Sequence, residues 1–142
     1  MRIRTLVGAV LAAAAVSLWS LPPDDLILRE DMGPGSALIV YRVSCEKAQA
    51  SPAWTPERAT APLPLAKAVA LAKQWVKDVV GFSGATRVAS IELSPVYSEE
   101  VPDRWFYSVA LVPADAAQAP PAYVTTVVIL MNGEVVVPQL AK

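Results

Sequence analysis

Between Pro64 and Gly81 the chain carries a stretch that is apolar on one side only, and this stretch narrows the choice of fold. At about 100° per residue, Leu65, Ala68, Val69, Leu71, Ala72, Trp75, Val76, Val79 and Val80 fall on one half of a helical wheel. Lys67, Ala70, Lys73, Gln74, Lys77 and Asp78 occupy the other half. Pro62 and Pro64 stand at the start, where a missing N–H costs nothing because the first donors of a helix have no partner within it. Gly81 follows the last apolar pair and suits the left-handed position that ends many helices. The pattern predicts a helix over Leu65–Val80, with Val76 near the centre of its apolar arc. An arc this wide belongs on the face of a sheet.

The residues after Gly81 read as that sheet. Arg87–Tyr97 alternates, with Ala89, Ile91 and Leu93 on one face and Ser90, Glu92 and Ser94 on the other. Ser98 to Asp103 is a polar turn. Arg104–Val112 is a second strand, with Trp105, Tyr107, Val109 and Leu111 facing one way and Phe106, Ser108 and Ala110 the other. Asp115–Pro121 is an alanine- and proline-rich loop. Tyr123–Met131 is dense in β-branched residues and reads as a third strand. Asn132-Gly133 signals a hairpin through a type I′ turn into a short return strand, Glu134–Val137, and Pro138 ends further pairing. Upstream, Ala37–Cys45 is a strand expected to protect one sheet edge. The result is an α+β domain in two layers, one amphipathic helix on an antiparallel meander of about four to five strands.

The start of the chain has a different character. Met1-Arg2-Ile3-Arg4 is basic, and Thr5 to Leu18 is uncharged. This is the form of a secretory signal peptide over residues 1–17, with Ala15 and Ser17 at the cleavage site. The alternative is an uncleaved inner-membrane anchor over residues 5–21, at the short limit for spanning a bilayer. Residues 22–61 form an extension: a turn-rich piece over Pro22–Ser36, the strand at 37–45, then a Pro/Ala-rich linker with one helical turn at Thr55–Arg58. Residues 62–142 form the helix-and-sheet domain. The expected location is periplasmic or secreted, with membrane contact only if the N-terminal segment is retained.

Composition excludes several chemistries. The 142 residues contain no histidine, so a triad of the histidine type cannot be built within the chain. The net charge is −1 with both signs dispersed, whereas nucleic-acid binding requires a basic stripe. Cys45 is the one cysteine and closes no disulfide within the chain; it reads as a buried apolar residue or as a thiol that pairs with another chain. Glu99, Glu100 and Asp103 are the acidic cluster, set in a turn where acids are ordinarily solvated. No catalytic residue, cofactor or metal site is expected. The candidate partner contacts are Trp54, which either staples its segment to the domain or meets a partner, and the row Lys67, Lys73 and Lys77. The Trp105-Phe106-Tyr107 run reads as core on two sides or as a stacking surface.

The stretch from Pro64 through Ala72, Gly81, the strand containing Trp105-Phe106-Tyr107-Ser108-Val109, and Asn132-Gly133-Glu134-Val135-Val136 resembles PepSY-type domains over about residues 62–138. The long loop at Asp115–Pro121 and the absence of an Asp-Lys-Thr-Gly stretch after Gly133 depart from that family. Cystatin-like and nuclear-transport-factor-like folds share the same plan. The PepSY resemblance implies a non-enzymatic accessory role in an exported bacterial module, binding or restraining a peptidase. The cystatin-like and transport-factor-like alternatives imply a small-ligand pocket between helix and sheet.

Overall fold

The computed structural model describes residues 25–58, 60–115 and 124–141. The signal-peptide or anchor segment, residues 116–121 of the expected loop, and Tyr123 lie outside them. The element order is β1 (Leu26–Met32), β2 (Leu38–Val43), α1 (Cys45–Ala50), α2 (Leu65–Trp75), β3 (Thr86–Pro95), β4 (Trp105–Pro113), β5 (Thr125–Leu130), β6 (Val135–Val136) and β7 (Pro138–Leu140).

The α+β class and the helix on an antiparallel meander are both present. Strands β3-β4-β5-β6 form the meander in that order. Helix α2 starts at Pro64, whose carbonyl accepts from Lys67 and Ala68 N–H at 3.0 and 3.1 Å. Beyond Trp75 the helix widens into a π-turn, Val76–Val80, and the Gly81 N–H returns to the Val76 carbonyl with φ at 78°. The wide apolar arc is corrected by this geometry. Only Ala68, Ala72 and Val76 are buried on the helix, while Val79 and Val80 are 62% and 51% exposed and Leu65 is also exposed. The π-turn inserts a residue into the winding, so the last two valines rotate off the seam. Small alanines at the seam let the helix approach Tyr107, Val109, Leu111, Val127 and Ile129 closely.

A third layer covers the other face. Strands β1-β2-β7 form a separate three-stranded antiparallel sheet, so the strand expected at 37–45 joins this sheet rather than the meander. Tyr41 and Val43 from it pack on Phe106, Val128, Leu130 and Val136, with Ala48, Val96 and Val101 alongside. Central strands β4 and β5 are therefore buried on both sides, with Phe106 and Tyr107, adjacent in sequence, in different cores.

Several local expectations change. Leu26–Met32, inside the segment read as turn-rich, is a strand; its Arg29-Glu30-Asp31 run looks like a turn, but Arg29 is neutralised by Asp31 and Glu92 at 2.8 Å each. The linker read from Glu46 starts as helix α1, with Ser44 as its cap accepting from Lys47 N–H. Strand β3 contains a bulge between Val88 and Ser90, so Val88 rather than Ala89 shares a face with Ile91 and Leu93. The hairpin is a three-residue loop: Gly133 N–H bonds the Leu130 carbonyl, Leu130 N–H bonds the Glu134 carbonyl, and only Gly133 has positive φ. A type I′ turn needs both central residues there. Asn132 stays in ordinary φ, and its side chain accepts from Glu134 N–H at 3.0 Å. Pro138 ends β6 but opens β7, paired with Tyr41, so the last strand crosses from one sheet to the other at Val137. A proline is tolerated there as the first residue of a strand.

Candidate functional site

The short β6 pairs only with Val128 and Ile129 of β5. Among the described residues nothing covers the first half of β5 on that side, and a cleft of about 520 Å³ opens there. One wall is the three-stranded sheet, through Arg29, Asp31, Ile39 and Tyr41. The opposite wall is the end of the helix, through Trp75 and Val80, and β5 supplies Val124, Thr125 and Thr126. Met32, on the rim, is 69% exposed. Apolar side chains thus alternate with a charged pair along an open trough.

Local geometry explains the shape. The Leu130 backbone points toward β6, so by the alternation of an antiparallel strand Thr126 also points its N–H and C=O to the open side. The Tyr41 phenol spans the gap and donates to the Thr126 carbonyl at 2.9 Å. Burial, and secondarily the charge of Asp31, push the Tyr41 phenol up to about 12. Arg29 Nε donates to both Asp31 oxygens at 2.8 and 2.9 Å, and this bond holds its guanidinium above its usual range.

Two further hollows lie along the helix. A groove of about 340 Å³ passes Lys73, Gln74, Lys77, Phe82 and Thr86. A pocket of about 290 Å³ sits under the π-turn, lined by Val76, Val80, Phe82, Leu111, Val112 and Thr125. The space beneath α2 itself is filled by the alanine seam.

The sequence-read contacts are dispersed. Lys67, Lys73 and Lys77 are exposed, and only Lys73 and Lys77 line one groove. Gln74 in that groove donates to Asp78 at 2.6 Å, which places an acid beside the two lysines. Trp54 is 7% exposed and meets Trp105 edge-to-face at 6.1 Å. It is the staple of its segment, and the structure removes it from the contact surface. Cys45 is buried at the start of α1, its Sγ donating to Glu100 Oε2 at 3.3 Å. Among the described residues no group of acids and cysteine is gathered as for a metal ion, and no helix is long and apolar enough to cross a membrane. The residues that form the cleft were missed because they come from β1, β2, β5 and the helix end, and no spacing in the chain relates them. The one available signal was Leu26-Ile27-Leu28, an apolar run too long for a turn.

No family model, curated protein or solved structure matches this chain.

Proposed function

We propose that this protein is an exported, non-enzymatic module that binds a protein or peptide in the cleft beside the uncovered half of β5. The observation that carries this reading is the open trough itself: an extended chain can lie along Thr125 and Thr126 while its side chains meet Met32, Ile39, Val80 and Val124. The Arg29–Asp31 pair at the wall offers one charge of each sign to such a segment. The non-enzymatic part is supported by the lack of histidine and by the exposure of Glu99, Glu100 and Asp103 on their turn. Export rests on the basic start and uncharged run of the first residues, and an accessory role toward an exported peptidase rests on the PepSY resemblance.

A second reading, binding of a small apolar molecule, is favoured by the apolar pocket of about 290 Å³ under the π-turn. It lies near the lower limit of typical ligand pockets, roughly 300 Å³.

Photocrosslinkers placed at Met32 and at Val124, with a third at Lys67 as a control face, test the first reading in the native host. The expected result is an adduct to the same partner from both cleft positions and none from Lys67. Adducts that arise equally from all three positions would count against the cleft. Displacement of an apolar dye by small molecules, abolished by Val76→Trp, would favour the second reading.

A further inference from the structure

The opposite edge of the meander has a different geometry. Among the described residues β3 pairs with β4 alone, and no described strand meets the backbone groups on its outer side. Helix α2 lies chiefly over β4, β5 and β6, which leaves Ile91 and Leu93 each 37% exposed.

Two hydrogen bonds establish which groups on β3 point outward. Val96 N–H donates to the Arg104 carbonyl at 2.8 Å, and Ala114 N–H donates to the Ala85 carbonyl at 2.8 Å. Antiparallel ladders alternate between bonded and non-bonded pairs. Counting from the first bond, Ser94, Glu92 and Ser90 turn their backbone groups toward β4; counting from the second, Arg87 does so. The bulge between Val88 and Ser90 absorbs the change of phase. Thr86, Val88, Ile91 and Leu93 are left with N–H and C=O facing out.

These four positions are self-complementary. In an antiparallel pairing of β3 with a second β3, Thr86 stands opposite Leu93 and Val88 opposite Ile91. Every outward donor then meets an outward acceptor, and no other antiparallel self-register achieves this for all four. The faces agree as well. Thr86, Val88, Ile91 and Leu93 oppose Pro113, Leu111, Val109 and Tyr107 within the sheet, so all four lie on the helix side. Arg87 and Glu92 oppose Val112 and Ser108 on the other side, where Glu92 already meets Arg29 at 2.8 Å. A straight foreign strand does not follow the bulge, which is how many edges are guarded. A second copy carries the same bulge at the same place.

We propose that β3 is a self-association edge, through which two copies join antiparallel about a two-fold axis between Ala89 and Ser90 into one continuous sheet. The contact is isologous, so it closes at the dimer. It covers Ile91 and Leu93, which the helix leaves open, and it leaves the cleft beside β5 free.

Sedimentation of the full chain as its host produces it, from micromolar to near-millimolar concentration, tests the dimer. The expected result is a monomer–dimer equilibrium that Ile91→Lys abolishes while the circular dichroism spectrum of the monomer stays unchanged. The register is tested by mixing Val88→Cys with Ile91→Cys, since directly opposed positions come within disulfide reach. The mixed sample should give a linked dimer under mild oxidation, and each variant alone should not. This second test stands even if Ile91→Lys fails to fold. A monomer at every concentration overturns the proposal. So does a dimer that cross-links no better in the mixed sample than in either variant alone.

Discussion

The two faces of the β3–β6 sheet are covered by different means. On one, α2 approaches through Ala68, Ala72 and Val76, and the larger side chains come from the sheet: Tyr107, Leu111, Ile129 and Met131. On the other, β1 and β2 meet Phe106, Val128, Leu130 and Val136 with side chains of comparable size, among them Tyr41, Val43 and Ile39. The helix side is continuous in sequence, one element with a regular period. The sheet side is assembled from both ends of the described chain, β1 and β2 from its beginning and β7 from its end. Each side has one tyrosine tie: Tyr107 donates to the Leu63 carbonyl at 3.1 Å, and Tyr41 donates to the Thr126 carbonyl at 2.9 Å. Burial of a central strand on both faces is therefore reached once by a local pattern and once by a meeting of distant segments.

The strongest way to break this comparison is to place a charge in each core. Val76→Asp faces the sheet from the helix, and Val128→Asp faces the second sheet from β5; both positions are buried. An unpaired buried carboxylate costs several kcal/mol at the least, about the stability of a small domain. Both variants should lose their cooperative thermal transition. If Val128→Asp melts like the parent, the second sheet is not part of the cooperative unit.

Ending the chain after Val137 removes β7 and the Ala141 N–H bond to the Leu38 carbonyl at 2.9 Å. The expected loss is about 2 kcal/mol, in the ordinary range for disruption of a buried network. Hydrogen exchange should accelerate in Leu38–Val43 while amides of α2 stay protected. Equal acceleration in both would show that the two covers do not open separately.

The tyrosine ties sharpen the comparison. Tyr107→Phe orphans the carbonyl of buried Leu63 and should cost about 2 kcal/mol, whereas Tyr41→Phe leaves a carbonyl beside the open cleft that water can reach and should cost about 1 kcal/mol. The Tyr41 phenol is raised from 10.0 to about 12, so its neutral form is favoured by folding. That contribution is complete below the unfolded value and is lost as pH rises through the folded one. Denaturant melts should show stability falling between pH 10.0 and about 12, with a shallower fall in Tyr41→Phe. An unchanged slope in that variant would remove Tyr41 from the account.

The smallest effect belongs to the outer surface of the helix. Lys73→Asp should change stability by less than about 0.5 kcal/mol, as ordinary surface substitutions do. A melt displaced as far as that of Val76→Asp would mean that the buried seam is misassigned.

The Asn132-Gly133 hairpin shows where the sequence was legible and where it stopped. Its presence followed from the dipeptide, but its type did not, because Met131 is held in the core and the loop closes one residue earlier, on Leu130. The same division runs through β4. Alternation placed Trp105 and Tyr107 on the helix side and Phe106 on the other, and the structure agrees. What buries Phe106 was not readable, although the unbroken apolar run Val127-Val128-Ile129-Leu130-Met131 signalled a strand with no solvent face. The short return strand was legible, but the cleft residues beside it were not.

The sequence by itself determined the helix, the Gly81 stop and the order of the meander, while the structure narrowed the helix's apolar arc to Ala68, Ala72 and Val76. The first three depend on periods of a few residues and on turn chemistry, which act within a short stretch of chain. Tertiary structure alone decided that Leu26–Met32 is a strand, that β7 leaves one sheet for the other at Val137, and that Arg29, Val80 and Thr126 border one cleft. Those outcomes depend on which distant apolar surfaces remain uncovered once the local elements have formed. Burial of such surfaces is favourable in proportion to area and indifferent to separation along the chain, so no local pattern records it.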